Sequence, residues 1–150
     1  MKKLKLFLLP LFLFTIILID NSLAAQRYYC FFVANYSEET FSSIRIRETG
    51  TNSFGSDLLP DMWIEPNHNY AIKTGYATSS IYDIEIKEFD GTPLKFKWLA
   101  ENGNEYTKSY ITLDLSPLNT LVITTNEDGT ISWDITNEDD YGLGNPCDEF

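Results

Sequence analysis

The chain has 150 residues, with 11 basic and 22 acidic side chains and a formal net charge of −11. Such a surface repels phosphate backbones and disfavours nucleic acid as a partner. Aromatic residues make up 15% of the chain, which excludes the aromatic-poor composition of disordered sequences.

Met1-Lys2-Lys3-Leu4-Lys5 is a short cationic start, followed by an apolar run from Leu6 to Ile19 and then Ser22-Leu23-Ala24-Ala25. A basic segment, a short apolar segment and small residues before a processing point are the parts of a secretory signal peptide. The expected boundaries are a leader over 1–24 and a single domain over 25–150. The apolar run is shorter than the roughly 20 residues a membrane-spanning helix needs, and Pro10 interrupts it. No later stretch is apolar enough to span, so the mature chain is expected to be soluble, either secreted or periplasmic. Loss of Lys2, Lys3, Lys5 and Asp20 with the leader leaves 8 basic and 21 acidic residues, a net charge of −13.

The two cysteines, Cys30 and Cys147, are most simply a disulfide in an oxidising compartment. Such a bond encloses nearly the whole domain.

From residue 27 onward apolar residues alternate with polar ones. Ile44 and Ile46 alternate with Arg45 and Arg47. Tyr82, Ile84 and Ile86 alternate with Asp83, Glu85 and Lys87. Leu94, Phe96 and Trp98 alternate with Lys95 and Lys97, and Ile131, Trp133 and Ile135 with Ser132 and Asp134. Period two predicts strands with one face on a core and one in water. The segments 28–35, 71–73, 110–115 and 121–125 also read as strands, the first more buried than the rest. Asp90-Gly91, Asn102-Gly103 and Asp128-Gly129 supply hairpin turns. Face parity sets Ile86 opposite Phe96 and Glu85 opposite Lys97, around a three-residue loop from Asp90 to Thr92. It likewise sets Ile123 opposite Trp133 around Asp128. Seven to nine short strands of this kind predict an all-β fold, a single antiparallel β-sandwich, with a small barrel as the alternative.

Several strings carry a resemblance. They are Asn35-Tyr36-Ser37, Ser53-Phe54-Gly55-Ser56-Asp57-Leu58-Leu59, Ile64-Glu65-Pro66-Asn67, Tyr82-Asp83-Ile84, Asp90-Gly91 and Thr112-Leu113-Asp114-Leu115-Ser116 before Thr120-Leu121. Together they resemble a family of small exported bacterial β-sandwich proteins of unknown function, over most of residues 31–124. The resemblance implies fold and export and brings no catalytic residues. Asn67 stands where that pattern has Gly, and the stretch from Lys97 to Ser109 is longer than the pattern's short hairpin.

Each candidate site has a plainer competitor. His68, the only histidine, lies in a turn-like string with no serine in a nucleophile-elbow context and no spaced metal partners. The acidic end holds Asp134, Asn137, Glu138, Asp139, Asp140, Asp148 and Glu149. Asp134, Glu138, Asp139 and Asp140 are the oxygen donors a calcium ion would take, without an EF-hand spacing, and the competing reading is a solvated charge run. Asn126-Glu127-Asp128-Gly129 is read as a turn. Asn35-Tyr36-Ser37 matches a glycosylation sequon, of little use in a bacterium. In the loop Gly50–Trp63, Phe54, Leu58, Leu59, Met62 and Trp63 are the candidate binding residues, and the simpler role for them is to plug the end of the sandwich.

The resulting expectation is an exported, non-enzymatic binding module for an unidentified protein or envelope component. The alternative is a calcium- or glycan-binding secreted domain; no other cofactor is expected.

Overall fold

A computed structural model describes residues 28–75, 81–115, 119–137, 143 and 145–150. The leader expected over 1–24 lies outside the described residues. Among these residues there are nine strands: β1 Cys30–Tyr36, β2 Phe41–Glu48, β3 His68–Lys73, β4 Ile81–Glu88, β5 Phe96–Leu99, β6 Glu105–Lys108, β7 Ile111–Asp114, β8 Asn119–Thr125 and β9 Ile131–Asn137. A short 3-10 helix, Pro146–Glu149, follows. The strands form two sheets, β3-β1-β8-β9-β5-β6 and β2-β4-β7, which pack face to face. This is the expected sandwich rather than the barrel. It is not wholly antiparallel: β1 runs parallel to β8, and β5 meets β9 in a parallel contact at Phe96 and Ile131. Among the described residues no helix is long and apolar enough to cross a membrane.

The core follows the alternation. Phe31 and Val33 of β1, Ile44 of β2, Tyr82, Ile84 and Ile86 of β4, Phe96 of β5, and Leu121 and Ile123 of β8 all point between the sheets.

Three hairpin loops are built alike. Gly91, Gly103 and Gly129 each donate N–H to the carbonyl three residues back, at φ near +80° (85°, 84° and 79°). In each, the preceding Asp or Asn accepts the N–H two residues on, Asp90 from Thr92, Asn102 from Asn104 and Asp128 from Thr130. A type I turn closed by a left-handed glycine has this form. Around Asp128, Ile123 pairs with Trp133 as expected.

Around Asp90 the expected register is corrected. The loop is Phe89–Gly91, and Leu94, not Phe96, lies against Ile86, to whose carbonyl it donates its N–H. The loop centre has moved by one residue. Opposed residue numbers therefore shift by two, and both side chains still face the core. β5 then leaves for the other sheet, so Glu85 never meets Lys97. Its cross-strand partner is Arg45, while Lys97 pairs with Glu105 across the β5–β6 hairpin at 3.0 Å.

The expected water-facing side of β4 is also corrected. Asp83 and Glu85 are only 4% and 9% exposed. Arg47 Nε donates to Asp83 at 2.8 Å and Arg45 Nε to Glu85 at 2.9 Å, and Thr112 and Thr49 supply further hydroxyls to Asp83. The Arg47 guanidinium is itself covered by the Phe54 and Tyr110 rings, 4.4 Å and 5.0 Å from its central carbon. Buried charges persist when paired in this way, and removing one partner is the costly change.

The loop before β3 covers the outer edge of β2. Gly55 donates to the Ile46 carbonyl, Leu58 to that of Ile44, and Phe41 and Ile64 exchange both bonds. Asp57 Oδ1 accepts from the N–H groups of Ile44 and Leu59, each at 3.0 Å. Gly55 suits the close approach, since a Cβ there would lie 3.3 Å from the Ile46 carbonyl, a tight contact that the loop would have to ease. An exposed strand edge is thereby removed.

β1 is buried on both faces. Cys30, Phe32 and Ala34 look outward yet are covered, because the C-terminal segment packs against β1 and β3. Cys30 and Cys147 are bonded, with a Cα–Cα distance of 5.2 Å and a sequence separation of 117.

Removing this bond with Cys30→Ala/Cys147→Ala is expected to lower unfolding stability by about 2–5 kcal/mol, measured by urea denaturation at matched pH. An unchanged midpoint would contradict the placement of the tail on β1.

Asn35 is 0% exposed and donates both amide protons, to the carbonyls of Glu39 (2.7 Å) and Ile64 (2.9 Å). Asn35→Asp keeps the size but loses both donors and buries a charge. A loss of about 3 kcal/mol is expected in the same assay; a shift under about 0.5 kcal/mol would contradict the assigned network.

Candidate functional site

One end of the sandwich collects four loops. These are residues 37–40 between β1 and β2, 60–67 before β3, 89–95 between β4 and β5, and 126–130 between β8 and β9. They meet because Asn35 pairs with His68 and Tyr36 with Thr124 at one end of the larger sheet, while Phe41 pairs with Glu88 at the same end of the smaller one.

Asn35 is the tie-point. Its amide bonds the 37–40 loop and Ile64, its side-chain oxygen accepts from the Ser37 N–H and hydroxyl (3.0 and 2.6 Å), and its backbone carbonyl accepts from Asn67 at 2.6 Å. The sequon residues therefore form a buried turn network, and the Asn35 amide is not presented to solvent. Asn67 sits at φ 62°, a left-handed conformation that Gly adopts freely and Asn tolerates better than most other residues, so it can stand in the glycine position of the turn closed by His68 N–H to the Glu65 carbonyl.

The five expected binding residues separate into three groups. Leu59 is fully buried and Leu58 packs against the core, so both serve as plugs. Phe54 lies over Arg47 on the outer face of the smaller sheet. Met62 and Trp63 remain 44% and 55% exposed at the loop end. Their neighbour is a residue the sequence reading passed over. Phe89 is 68% exposed, and its ring meets Trp63 edge to face at 5.7 Å. Reading the hairpin as Phe89–Gly91 was the signal that would have found it, since the first residue of a three-residue loop projects into water.

Two depressions lie among these loops and the strand ends they join. A shallow one of about 200 Å³ is lined by Met62, Trp63, Glu65, His68 and Tyr70. A larger cleft of about 580 Å³ is lined by Glu39, Glu88, Pro93, Lys95, Tyr106 and Ile131, among others. Burial holds the Glu88 carboxyl above the usual carboxylate range, and the nearby charges of Glu39 and Asp90 add to the effect. Asp90 and Asp128 are shifted the other way, because each accepts hydrogen bonds from Thr92 or Thr130 that favour the ionised form.

His68 has Nδ1 3.0 Å from the Pro66 carbonyl, which can only accept, so that nitrogen carries the proton in this bond. Asp134 is exposed on β9 and its Oδ1 accepts the Ile135 N–H. Glu138, Asp139 and Asp140 lie outside the described residues. Among the described residues, no three His, Cys, Asp or Glu side chains are grouped to hold a metal ion.

No protein-family model matches the chain, and none of the curated proteins does. Among solved structures, the chain is similar to an NMR structure of a protein from Eubacterium rectale, at 11% sequence identity and a TM-score of 0.42, covering 73% of this chain and 89% of that one.

Proposed function

We propose that this chain is exported and acts as a non-enzymatic binding module that engages a protein or envelope component through the four-loop end of its sandwich. The observation that carries this reading is the Trp63–Phe89 pair, two large rings in edge-to-face contact and left in water, with Trp63 lining a shallow depression. Exposed aromatic anchors beside a depression, set on loops held by a rigid scaffold, are the usual makings of a contact surface. Export is supported by the leader-like segment over 1–24 and by the Cys30–Cys147 bond, which suits an oxidising compartment.

Affinity capture from the cell envelope and medium tests the reading, with the tagged exported chain compared against Trp63→Ala/Phe89→Ala. A specific partner recovered with the native chain is expected to fall at least about tenfold with the double variant, whose thermal midpoint should stay unchanged because both rings are exposed. Equal recovery with both proteins would move the contact surface elsewhere. Parallel captures with calcium and with chelator are expected to agree; a partner held only with calcium would favour the alternative built on the acidic end.

A further inference from the structure

We propose that the loop end takes a cationic peptide segment, with a lysine or arginine side chain lying over the Trp63–Phe89 rings and against the carboxylates of Glu39, Glu88 and Asp90. This inference rests on the loop end being the binding surface and adds the chemistry of what binds there.

Charge complementarity points to that occupant. The loops and strand ends that build this surface carry Glu38, Glu39, Asp61, Glu65, Glu88, Asp90, Glu127 and Asp128 against Lys87, Lys95 and Lys97. One of those lysines, Lys97, is already paired with Glu105. The Glu88 carboxyl is disfavoured as an anion first by burial and then by the nearby charges of Glu39 and Asp90, and a bound cation would offset that charge. The rings contribute in the same direction. An edge-to-face pair keeps a ring face open, and the negative face of an indole or phenyl ring attracts ammonium and guanidinium groups.

This chain already uses that interaction three times within its own fold. Arg47 lies against Phe54 and Tyr110, Lys73 against Tyr28, and Lys108 against Trp98. At the loop end Glu88 and Asp90 flank Phe89 in the chain and Glu65 lines the depression beside Trp63. A neutral glycan can donate hydroxyls to carboxylates but carries no charge to offset their mutual repulsion. A metal ion lacks a grouped donor set among the described residues. The larger cleft is lined by Glu39, Glu88 and Glu105 together with Lys95 and Lys97, and Lys97 is held by Glu105.

The test uses two short synthetic peptides, one alternating lysine with leucine and its twin with glutamate in place of lysine, titrated into the isotope-labelled exported chain and followed by NMR. The lysine peptide is expected to shift the Trp63 indole N–H and the amides of residues 88–91, and to bind at least about tenfold more tightly than its twin. Its affinity should fall about tenfold in Trp63→Ala/Phe89→Ala and about threefold in Glu39→Gln/Glu88→Gln. It should also weaken on raising salt from about 50 to about 300 mM and on acidifying through the carboxylate range, as Glu88 takes up its proton. Equal binding of the two peptides, shifts confined to the β3 edge or the C-terminal segment, or no shift at all would overturn the inference. If the lysine peptide leaves Trp63 unshifted while an envelope partner is still lost with Trp63→Ala/Phe89→Ala, the cationic occupant is wrong and the binding end stands. If the partner is indifferent to those substitutions, the binding end itself is wrong.

Discussion

The Asn35 side chain is the constraint on which the loop end depends. It is buried at the close of β1, where that strand must release the chain to the opposite sheet. Its two amide protons satisfy carbonyls from two different loops, and its oxygen turns the chain through Ser37. A buried amide with every group bonded is rigid as well as stabilising, because any rearrangement strands several polar atoms at once. Through Ile64 and the backbone bond to Asn67, that rigidity reaches the segment presenting Met62 and Trp63. The rings are therefore held on a fixed base, which limits the ordering penalty a partner must overcome on binding.

Elsewhere the molecule covers itself. The Phe54–Ile64 segment seals the edge of β2, and the disulfide-held tail seals the outer face of β1. The arginine ladder of Arg45 and Arg47, with Phe54 and Tyr110 over it, turns the outer face of β4 into a second small interior. Each device removes unpaired backbone or buries a surface that would otherwise meet water. Leu99 and Phe150 also stay exposed, but singly; Trp63 and Phe89, at 55% and 68% exposure, are in ring contact with each other at the loop end.

Much of this was legible in the sequence because period-two alternation is a local signal. The core faces of β2, β4, β5 and β9 and the hairpin around Asp128 follow from spacing, and the cysteine pair from their number and the expected compartment. Strand partnership does not. The alternation of Asp83 and Glu85 with Ile84 and Ile86 looks the same whether the neighbour is β5 or β2, and only the latter brings Arg45 and Arg47 alongside to bury them. The register around Asp90 was off by one loop position for a related reason. Face parity is preserved by a shift of two, so hydrophobic pattern cannot separate Leu94 from Phe96 as the residue opposite Ile86. That small error hid Phe89 inside a strand. In the Gly50–Trp63 loop the residue types announced contact but not direction, and the fold sends Leu58 and Leu59 inward while Met62 and Trp63 stay outside.

The most direct test of the proposal that the partner sits on the end organised by Asn35 is a hydrogen-exchange footprint of the chain with and without its captured partner. The account expects new protection in the backbone amides of residues 61–65 and 88–92, with the 101–104 hairpin and the C-terminal segment unchanged. Protection confined to the β3 edge, the 101–104 hairpin or the C-terminal segment would contradict it.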